Sequence, residues 1–199
     1  MEEARIEKPM GKASAVQQQP LKSSVGLNMS IGTKPTLIEV NPMRFLIMDT
    51  PKQGNLHLYI KEMRKQSVTD VVRVCEPTYL AGELTAAGIQ LHEMEYTDGT
   101  SPPKELIDKW LLLVDKTFFQ SPGSDSNSCI AVHCVAGLGR APVLVAIALI
   151  EFVNMDPVEA VSLIRRHRRG AINEKQLLYL EKYKKSYKRG GDAACCVIL

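Results

Sequence analysis

Several features that would place a protein outside the cytosol are missing from this sequence. Its five cysteines are too few and too irregularly placed for the disulfide framework of a secreted domain, and no Cys-x-x-Cys pairs indicate zinc. Residues 1–5 lack the apolar core of a signal peptide. The longest apolar run, residues 141–150, is too short to cross a bilayer. We therefore expect a protein made in the reducing cytosol with its thiols free.

A strong charge of either sign is also missing, because 25 Lys and Arg residues nearly balance 22 Asp and Glu residues and leave a formal net charge of +3. The basic residues crowd into the last third of the chain. Their cluster at residues 165–169 has the charge of a nucleic-acid patch, but no interleaved aromatic residues or binding motif accompany it. We therefore expect no nucleic-acid partner.

Length and composition predict one folded domain with two tails. A chain of 199 residues with 45% hydrophobic and 24% charged residues has ordinary globular values. Residues 1–35 are polar and show no apolar period, which predicts a disordered N-terminal tail. We assign the domain to residues 36–189 and a C-terminal tail to residues 190–199.

Apolar patterns within the domain alternate between strands and helices. Strands are predicted at residues 36–40, 44–48, 71–75, 89–94 and 129–132. Helices are predicted at residues 55–66, 104–114, 141–153, 157–169 and 173–187. This alternation predicts an α/β fold, with a central mixed sheet flanked by helices on both faces.

The strongest chemical signal is the segment His-Cys-Val-Ala-Gly-Leu-Gly-Arg at residues 133–140, between the last predicted strand and an apolar helix. In a strand–loop–helix arrangement, backbone N–H groups converge on an anion at the helix N-terminus. The two glycines can take conformations that other residues resist. We therefore predict a phosphate-binding loop formed by Val135, Ala136, Gly137, Leu138 and Gly139.

The residues that flank this loop predict nucleophilic catalysis. Cys134 faces the helix N-terminus, which favours the reactive thiolate. Arg140 can hold two phosphate oxygens in a fork that lysine cannot match, and His133 is placed to orient the loop. The alternative is a buried structural thiol and a surface arginine, which the flanking histidine, glycines and apolar elements disfavour. This chemistry needs no metal and no cofactor.

This His-Cys-x5-Arg segment resembles that of the cysteine-dependent tyrosine and dual-specificity phosphatases. With Ala-Pro following the arginine, it is similar to one branch, the phosphatases of regenerating liver (prenylated, type IVA). The likeness extends to residues 43–47, 72–76 and 169–183, and so covers about residues 36–199. It implies a protein tyrosine or dual-specificity phosphatase that acts on phosphoproteins through a phosphocysteine.

The resemblance implies three further properties. The family usually has a hydroxyl residue after the arginine, so Ala141 implies slow breakdown of the phosphocysteine. Phosphoinositide phosphatases typically carry basic loop residues, so the apolar loop here argues against that substrate. The branch also uses a cysteine on an earlier strand as a disulfide partner of the catalytic one, and Cys75 matches that position.

Cleavage of a phosphoester also requires a proton for the leaving oxygen. Asp98 precedes Gly99 after a predicted strand, although Asp-Gly is equally an ordinary turn. The family has a Trp-Pro-Phe-Asp-Asp-Gly loop, and Asp98 aligns with its second aspartate, while Thr97 replaces the first. We expect Asp98 to be the general acid. Gln176 aligns with a residue that positions the hydrolytic water, and a helix-surface glutamine is the open alternative.

The last four residues form a C-a-a-X prenylation motif beginning at Cys196, with a terminal leucine that favours geranylgeranylation. A basic run precedes it, formed by Lys182, Lys184, Lys185, Lys188 and Arg189. Such a run alone is usually a solvated helix face. Combined with one lipid chain, it predicts attachment to the anionic cytoplasmic face of membranes. Cys195 is a further acylation candidate.

A binding module is the rival function. If slow turnover limits catalysis, the family resemblance implies docking of magnesium transporters with CBS-pair domains, gripped by the same loop. The sequence leaves open the balance between the two functions, the physiological substrate and whether the protein forms a homo-oligomer.

Overall fold

The computed structural model describes residues 30–120 and 127–188. Five strands form one sheet in the order β1-β2-β5-β3-β4. The first two strands pair antiparallel, and the other neighbours pair parallel. The predicted mixed sheet is therefore confirmed. The strands are β1 Thr36–Val40, β2 Met43–Met48, β3 Val68–Arg73, β4 Gln90–Glu93 and β5 Cys129–His133.

Six helices of the described chain cover both faces of this sheet, as predicted. They are α1 Leu56–Lys65, α2 Gly82–Ala86, α3 Lys104–Phe118, α4 Arg140–Val153, α5 Pro157–His167 and α6 Glu174–Glu181. One apolar core joins the sheet to α3, α4, α5 and α6. A second core lies between the opposite face and the helices α1 and α2.

Three predicted elements differ clearly from the structure in length. Helix α3 continues to Phe118, four residues beyond the predicted end. Strand β3 begins at Val68, three residues before the predicted start. The last helix ends at Glu181 and does not run to residue 187. Glu151 on α4 explains the earlier end, because it accepts hydrogen bonds from the Tyr183 hydroxyl at 2.7 Å and the Ser186 N–H at 2.9 Å. These bonds hold residues 183–187 in an irregular path against α4.

The central position of β5 determines where the predicted loop lies. All five residues of β5 are buried, and the strand pairs with β2 on one side and β3 on the other. The carboxyl ends of these parallel strands lie at one edge of the sheet, which is where ligands bind in α/β folds. Nearly every residue of α4 is buried, so the loop between β5 and α4 is held by the core at both ends.

None of the helices in the described part of the chain is long and apolar enough to span a membrane. Residues 30–120 and 127–188 also contain no group of three or more His, Cys, Asp or Glu side chains that could hold a metal ion. Most of the predicted N-terminal tail lies outside the described residues, which include only its stretch 30–35. The prenylation residue Cys196 and its neighbour Cys195 also lie outside them.

Candidate active site

Four successive carbonyl groups of the loop after β5 are hydrogen-bonded from outside the loop. The Thr50 N–H donates to Val135 at 3.1 Å, and the Ile172 N–H donates to Leu138 at 2.7 Å. Between them, the guanidinium of Arg168 donates to the carbonyls of Ala136 at 3.1 Å and Gly137 at 2.6 Å. A trans peptide unit points its N–H opposite to its C=O. The N–H groups of residues 136–139 therefore point to the other side, where they can meet an anion.

Gly137 is required for this conformation. Its φ is +67°, in the left-handed region that favours glycine. A Cβ atom here would also collide with the Met48 carbonyl oxygen and lie 2.5 Å from a guanidinium nitrogen of Arg168. The predicted role of this glycine therefore has a steric cause as well as a conformational one.

The inward side of the loop is one wall of a cavity of about 320 Å³. Cys134 and Arg140 line it together with Asp98 and Gln176, so four residues singled out in the sequence meet in one place. Cys134 is only 3% exposed, whereas Val135 and Leu138 are exposed. The nucleophile candidate therefore lies beneath an opening with apolar side chains beside it.

Arg140 is buried, and its guanidinium is held by hydrogen bonds at Nη1 but not at Nε. Its Nη1 donates to the backbone carbonyls of Val74 at 3.1 Å and Tyr96 at 3.0 Å. Its Nε lies 3.2 Å from a carboxylate oxygen of Asp98, within ion-pair distance, but makes no hydrogen bond among the described residues. A buried donor without an acceptor is costly. Such a donor beside Cys134 suits a bound oxyanion.

Asp98 projects into the cavity from the segment after β4. Its side chain is 76% exposed. The Thr100 hydroxyl and N–H both bond the Thr97 carbonyl, at 2.7 and 3.3 Å, and close a turn around Asp98 and Gly99. The two sequence interpretations of Asp-Gly are therefore compatible, because the turn places the carboxyl group at the cavity.

His133 and Cys75 lie behind the loop. The His133 ring is buried and bonds the Tyr79 hydroxyl at 2.6 Å. Burial, aided by the charge of Arg73, lowers the pKa of His133 to about 3. The imidazole is therefore neutral near pH 7, which suits an orienting residue and not a proton acceptor.

Cys75 is a free buried thiol that lies two residues beyond the end of β3, the strand next to β5. Its Sγ lies 3.9 Å from the Thr50 hydroxyl and 4.0 Å from Nδ1 of His133. Burial raises the pKa of the Cys75 thiol, and the negative charge of a Cys134 thiolate adds to the rise. Cys75 is therefore held as a neutral thiol in the neighbourhood of Cys134.

Gln176 is buried and is not a helix-surface residue. Its Oε1 accepts from the Asn173 N–H at 3.0 Å, within a capping box that begins α6. Its Nε2 is the atom closest to where a Cβ on Gly139 would lie, at 3.2 Å. The amide nitrogen therefore lies against the loop, a contact that only the family resemblance indicated.

Arg168 is the site residue that sequence reasoning missed. Residues 165–169 have the charge pattern of a nucleic-acid patch without its motifs, and nothing in that pattern indicates that Arg168 is buried. In addition to the loop carbonyls, it donates to the Lys34 carbonyl at 3.3 Å and to the Thr36 and Thr33 hydroxyls at 3.1 and 3.2 Å. It therefore ties the loop to the segment that precedes β1.

Known proteins share this domain. A family model described as protein-tyrosine phosphatase matches residues 49–183. The PRL-1 phosphatase of Drosophila melanogaster is 47% identical over 167 residues, covering 82% of this chain and 92% of that protein. Protein tyrosine phosphatase type IVA 3 of Homo sapiens is 49% identical over 153 residues, covering 76% and 86%. A solved Leishmania major chain described as a protein tyrosine phosphatase matches with a TM-score of 0.70 at 42% identity, covering 77% of this chain and 100% of its own.

Proposed function

This chain belongs to the protein-tyrosine phosphatase family, with type IVA phosphatases among its relatives, and we propose that it hydrolyses phosphoproteins through a phosphocysteine on Cys134. The observation that carries this proposal is the buried Nε of Arg140, which makes no hydrogen bond among the described residues and lies in the cavity that Cys134 and Asp98 also line. A phosphate group fits this donor and the N–H groups of residues 136–139.

The proposed reaction has two steps. In the first, the Cys134 thiolate attacks phosphorus, the bond from phosphorus to the leaving oxygen breaks, and Asp98 gives its proton to that oxygen. Arg140 and the loop N–H groups stabilise the charge on the phosphoryl oxygens. In the second, water attacks phosphorus and gives a proton to the Asp98 carboxylate, the bond from phosphorus to sulfur breaks, and inorganic phosphate is released with Cys134 leaving as thiolate.

The second step is proposed to be slow. Ala141 is fully buried in the first turn of α4, directly after the phosphate-binding arginine. A methyl group there cannot donate a hydrogen bond to the departing thiolate, as a hydroxyl could. Phosphate bound to cysteine should therefore accumulate during turnover.

Mass spectrometry of the intact protein during turnover of a small aryl phosphate tests this mechanism. We expect the intact protein to gain the mass of one phosphoryl group while the phenol is released, and digestion should place that group on the peptide that contains Cys134. The Cys134→Ser protein should show neither. Phenol release that persists in the Cys134→Ser protein would contradict the proposal.

We also propose that the domain acts at the cytoplasmic face of membranes. The supporting features are the prenylation motif at Cys196 and the exposure of Lys182, Lys184, Lys185 and Lys188. Exposed lysines can approach anionic headgroups, and one lipid chain alone binds membranes only marginally. Arg189 lies outside the described residues.

Docking is the second candidate function. Val135 is 54% exposed and Leu138 is 38% exposed, so the cavity opens beside two apolar side chains. A protein loop that placed a carboxylate against Arg140 could bury both of them. This arrangement supports the family-based proposal that the same loop grips a magnesium transporter with CBS-pair domains.

A further inference from the structure

A second, larger cavity of about 650 Å³ lies next to the proposed active site. We call it the side groove and define it by Lys34, Leu37, Leu46, Leu138, His167 and Arg169. Leu138 also lines the active-site cavity, and Arg169 in the groove is followed by Gly170 in that cavity. The two spaces therefore border the same loop residue, Leu138.

The side groove has an apolar floor and a basic rim. Leu46 is buried and Leu37 is half-buried, on the sheet face that α1 covers. Lys34, His167 and Arg169 are exposed at the rim, opposite a half-buried acid, Glu62. The fourth base that lines the groove, Arg168, directs its guanidinium to loop carbonyls and to residues 33–36. The rim is therefore positive on balance.

We propose that the side groove binds the segment of the phosphoprotein substrate next to the phosphorylated residue and selects an acidic side chain there. This inference rests on the proposed phosphatase function. Because both spaces border Leu138, an extended chain, at about 3.3 Å per residue, could cross this side chain and reach from one space to the other within a few residues. The leucines suit an apolar residue of that chain, and Lys34 and Arg169 suit a carboxylate.

Binding of phosphotyrosine peptides to the full-length Cys134→Ser protein tests the groove without requiring turnover. Fluorescence anisotropy would compare peptides with Glu, Gln or Lys at positions on one side of the phosphotyrosine, and mirrored peptides with the same changes on the other side. We expect the Glu peptide to bind more tightly than the Gln peptide on one side only. Raising the salt concentration should reduce the difference, because exposed charges are screened.

Charge reversals locate the effect. Lys34→Glu and Arg169→Glu should each reduce the ratio of Glu-peptide to Gln-peptide affinity by about two- to fivefold, as exposed ion pairs do. Lys109→Glu is the matched control, because Lys109 is exposed on α3 and lies against β4 at the opposite edge of the sheet. It should leave the ratio unchanged.

Several results would overturn the proposal. A Glu preference on both sides of the phosphotyrosine, or an equal effect of Lys109→Glu, would indicate general electrostatics. Unchanged peptide ratios in the groove variants would show that the groove does not bind the substrate. A new oligomeric state in those variants would then assign the groove to a second copy of the chain. A new sensitivity of residues 1–29 to protease would assign it to the chain's own N-terminal segment. A separate measurement of aryl phosphate hydrolysis by the wild-type protein tests the phosphatase function itself.

Discussion

The Nε–H of Arg168 donates a 2.6 Å hydrogen bond to the carbonyl oxygen of Gly137, 31 residues earlier in the chain. This bond turns one peptide unit of the phosphate loop so that the N–H of Leu138 points toward the cavity. A second bond from the same guanidinium does the same for the neighbouring peptide unit. Arg168 therefore orients two N–H groups of the proposed anion site through bonds to the loop carbonyls alone.

Arg168→Lys should weaken catalysis by about 10- to 100-fold in kcat/KM on an aryl phosphate. The single nitrogen of lysine cannot replace three guanidinium nitrogens that bond the loop and residues 33–36 at the same time, and misplaced groups lose rate steeply. Inhibition by inorganic phosphate should weaken in parallel, which a purely structural role would not require. Arg166→Lys, an exposed neighbour on α5, is the control. A variant with wild-type phosphate affinity and kcat/KM would show that Arg168 does not position the loop.

Ala141→Ser should speed release of phosphate from Cys134. The wild-type protein should give a burst of phenol equal to the amount of enzyme, followed by slow turnover. The serine should raise the steady-state rate and reduce the accumulated phosphocysteine. Stopped-flow absorbance provides the measurement, and an unchanged steady-state rate would mean that some other step is slow.

The Cys75 and Cys134 thiols should form a disulfide under mild peroxide. Peroxide oxidises the Cys134 thiolate to sulfenic acid, and the Cys75 thiol then displaces water to form the S–S bond. Dithiothreitol should restore activity to the wild-type protein, whereas the Cys75→Ser protein should lose activity irreversibly. Peptide mapping without reduction would detect the bond, and its absence at partial inactivation would exclude this protection.

The buried imidazole of His133 should make the fold sensitive to acid. The native pKa of about 3 lies below the ordinary value of 6.5, so as pH falls below 6.5 the unfolded state takes up a proton that the native state does not. At pH 5 this group should have cost about 2 kcal/mol of the free energy of unfolding. Urea denaturation at pH 7 and pH 5 measures the loss.

The His133→Gln protein should be less stable at pH 7 but should lose about 2 kcal/mol less on acidification than the wild type. His57→Gln is the matched control, since His57 is exposed on α1. An identical acid loss in the wild-type and His133→Gln proteins would contradict the assignment.

Membrane attachment should require both halves of the C-terminal signal. Cys196→Ser removes the prenylation residue and should make the protein largely soluble. Neutralising Lys184, Lys185, Lys188 and Arg189 should weaken binding to anionic vesicles, at about 1 kcal/mol per charge, and barely change binding to neutral vesicles. Vesicle sedimentation measures both effects. If the Cys196→Ser protein remained on membranes at high salt, another anchor would be responsible.

The phosphate loop can be proposed from the sequence because its essential groups are neighbours in the chain. Residues 133–140 carry the nucleophile, the glycines and the arginine, and their flanking strand and helix are strongly apolar. The placement of Asp98 and Gln176 came from alignment with a family, since nothing in their own neighbourhoods distinguishes a site from a turn or a helix surface.

The supports of the loop could not be predicted in this way. Arg168 lies in a run of basic residues that is typical of a solvent-exposed surface, and its partners are 31 to 135 residues distant in the chain. The short helix α2 has too few residues for an apolar period to appear. Similarly, no local pattern indicated that Glu151 would end α6 early by holding residues 183–187.

The segment 183–187, which is held against α4, also determines where a tether to the membrane would begin. Residues 183–187 are held by Glu151, close to the C-terminal end of α4, whereas Arg140 begins the same helix at the active site. Fourteen helical residues separate the two ends by about 20 Å. A lipid on Cys196 would therefore tether the enzyme from the end remote from its catalytic cavity.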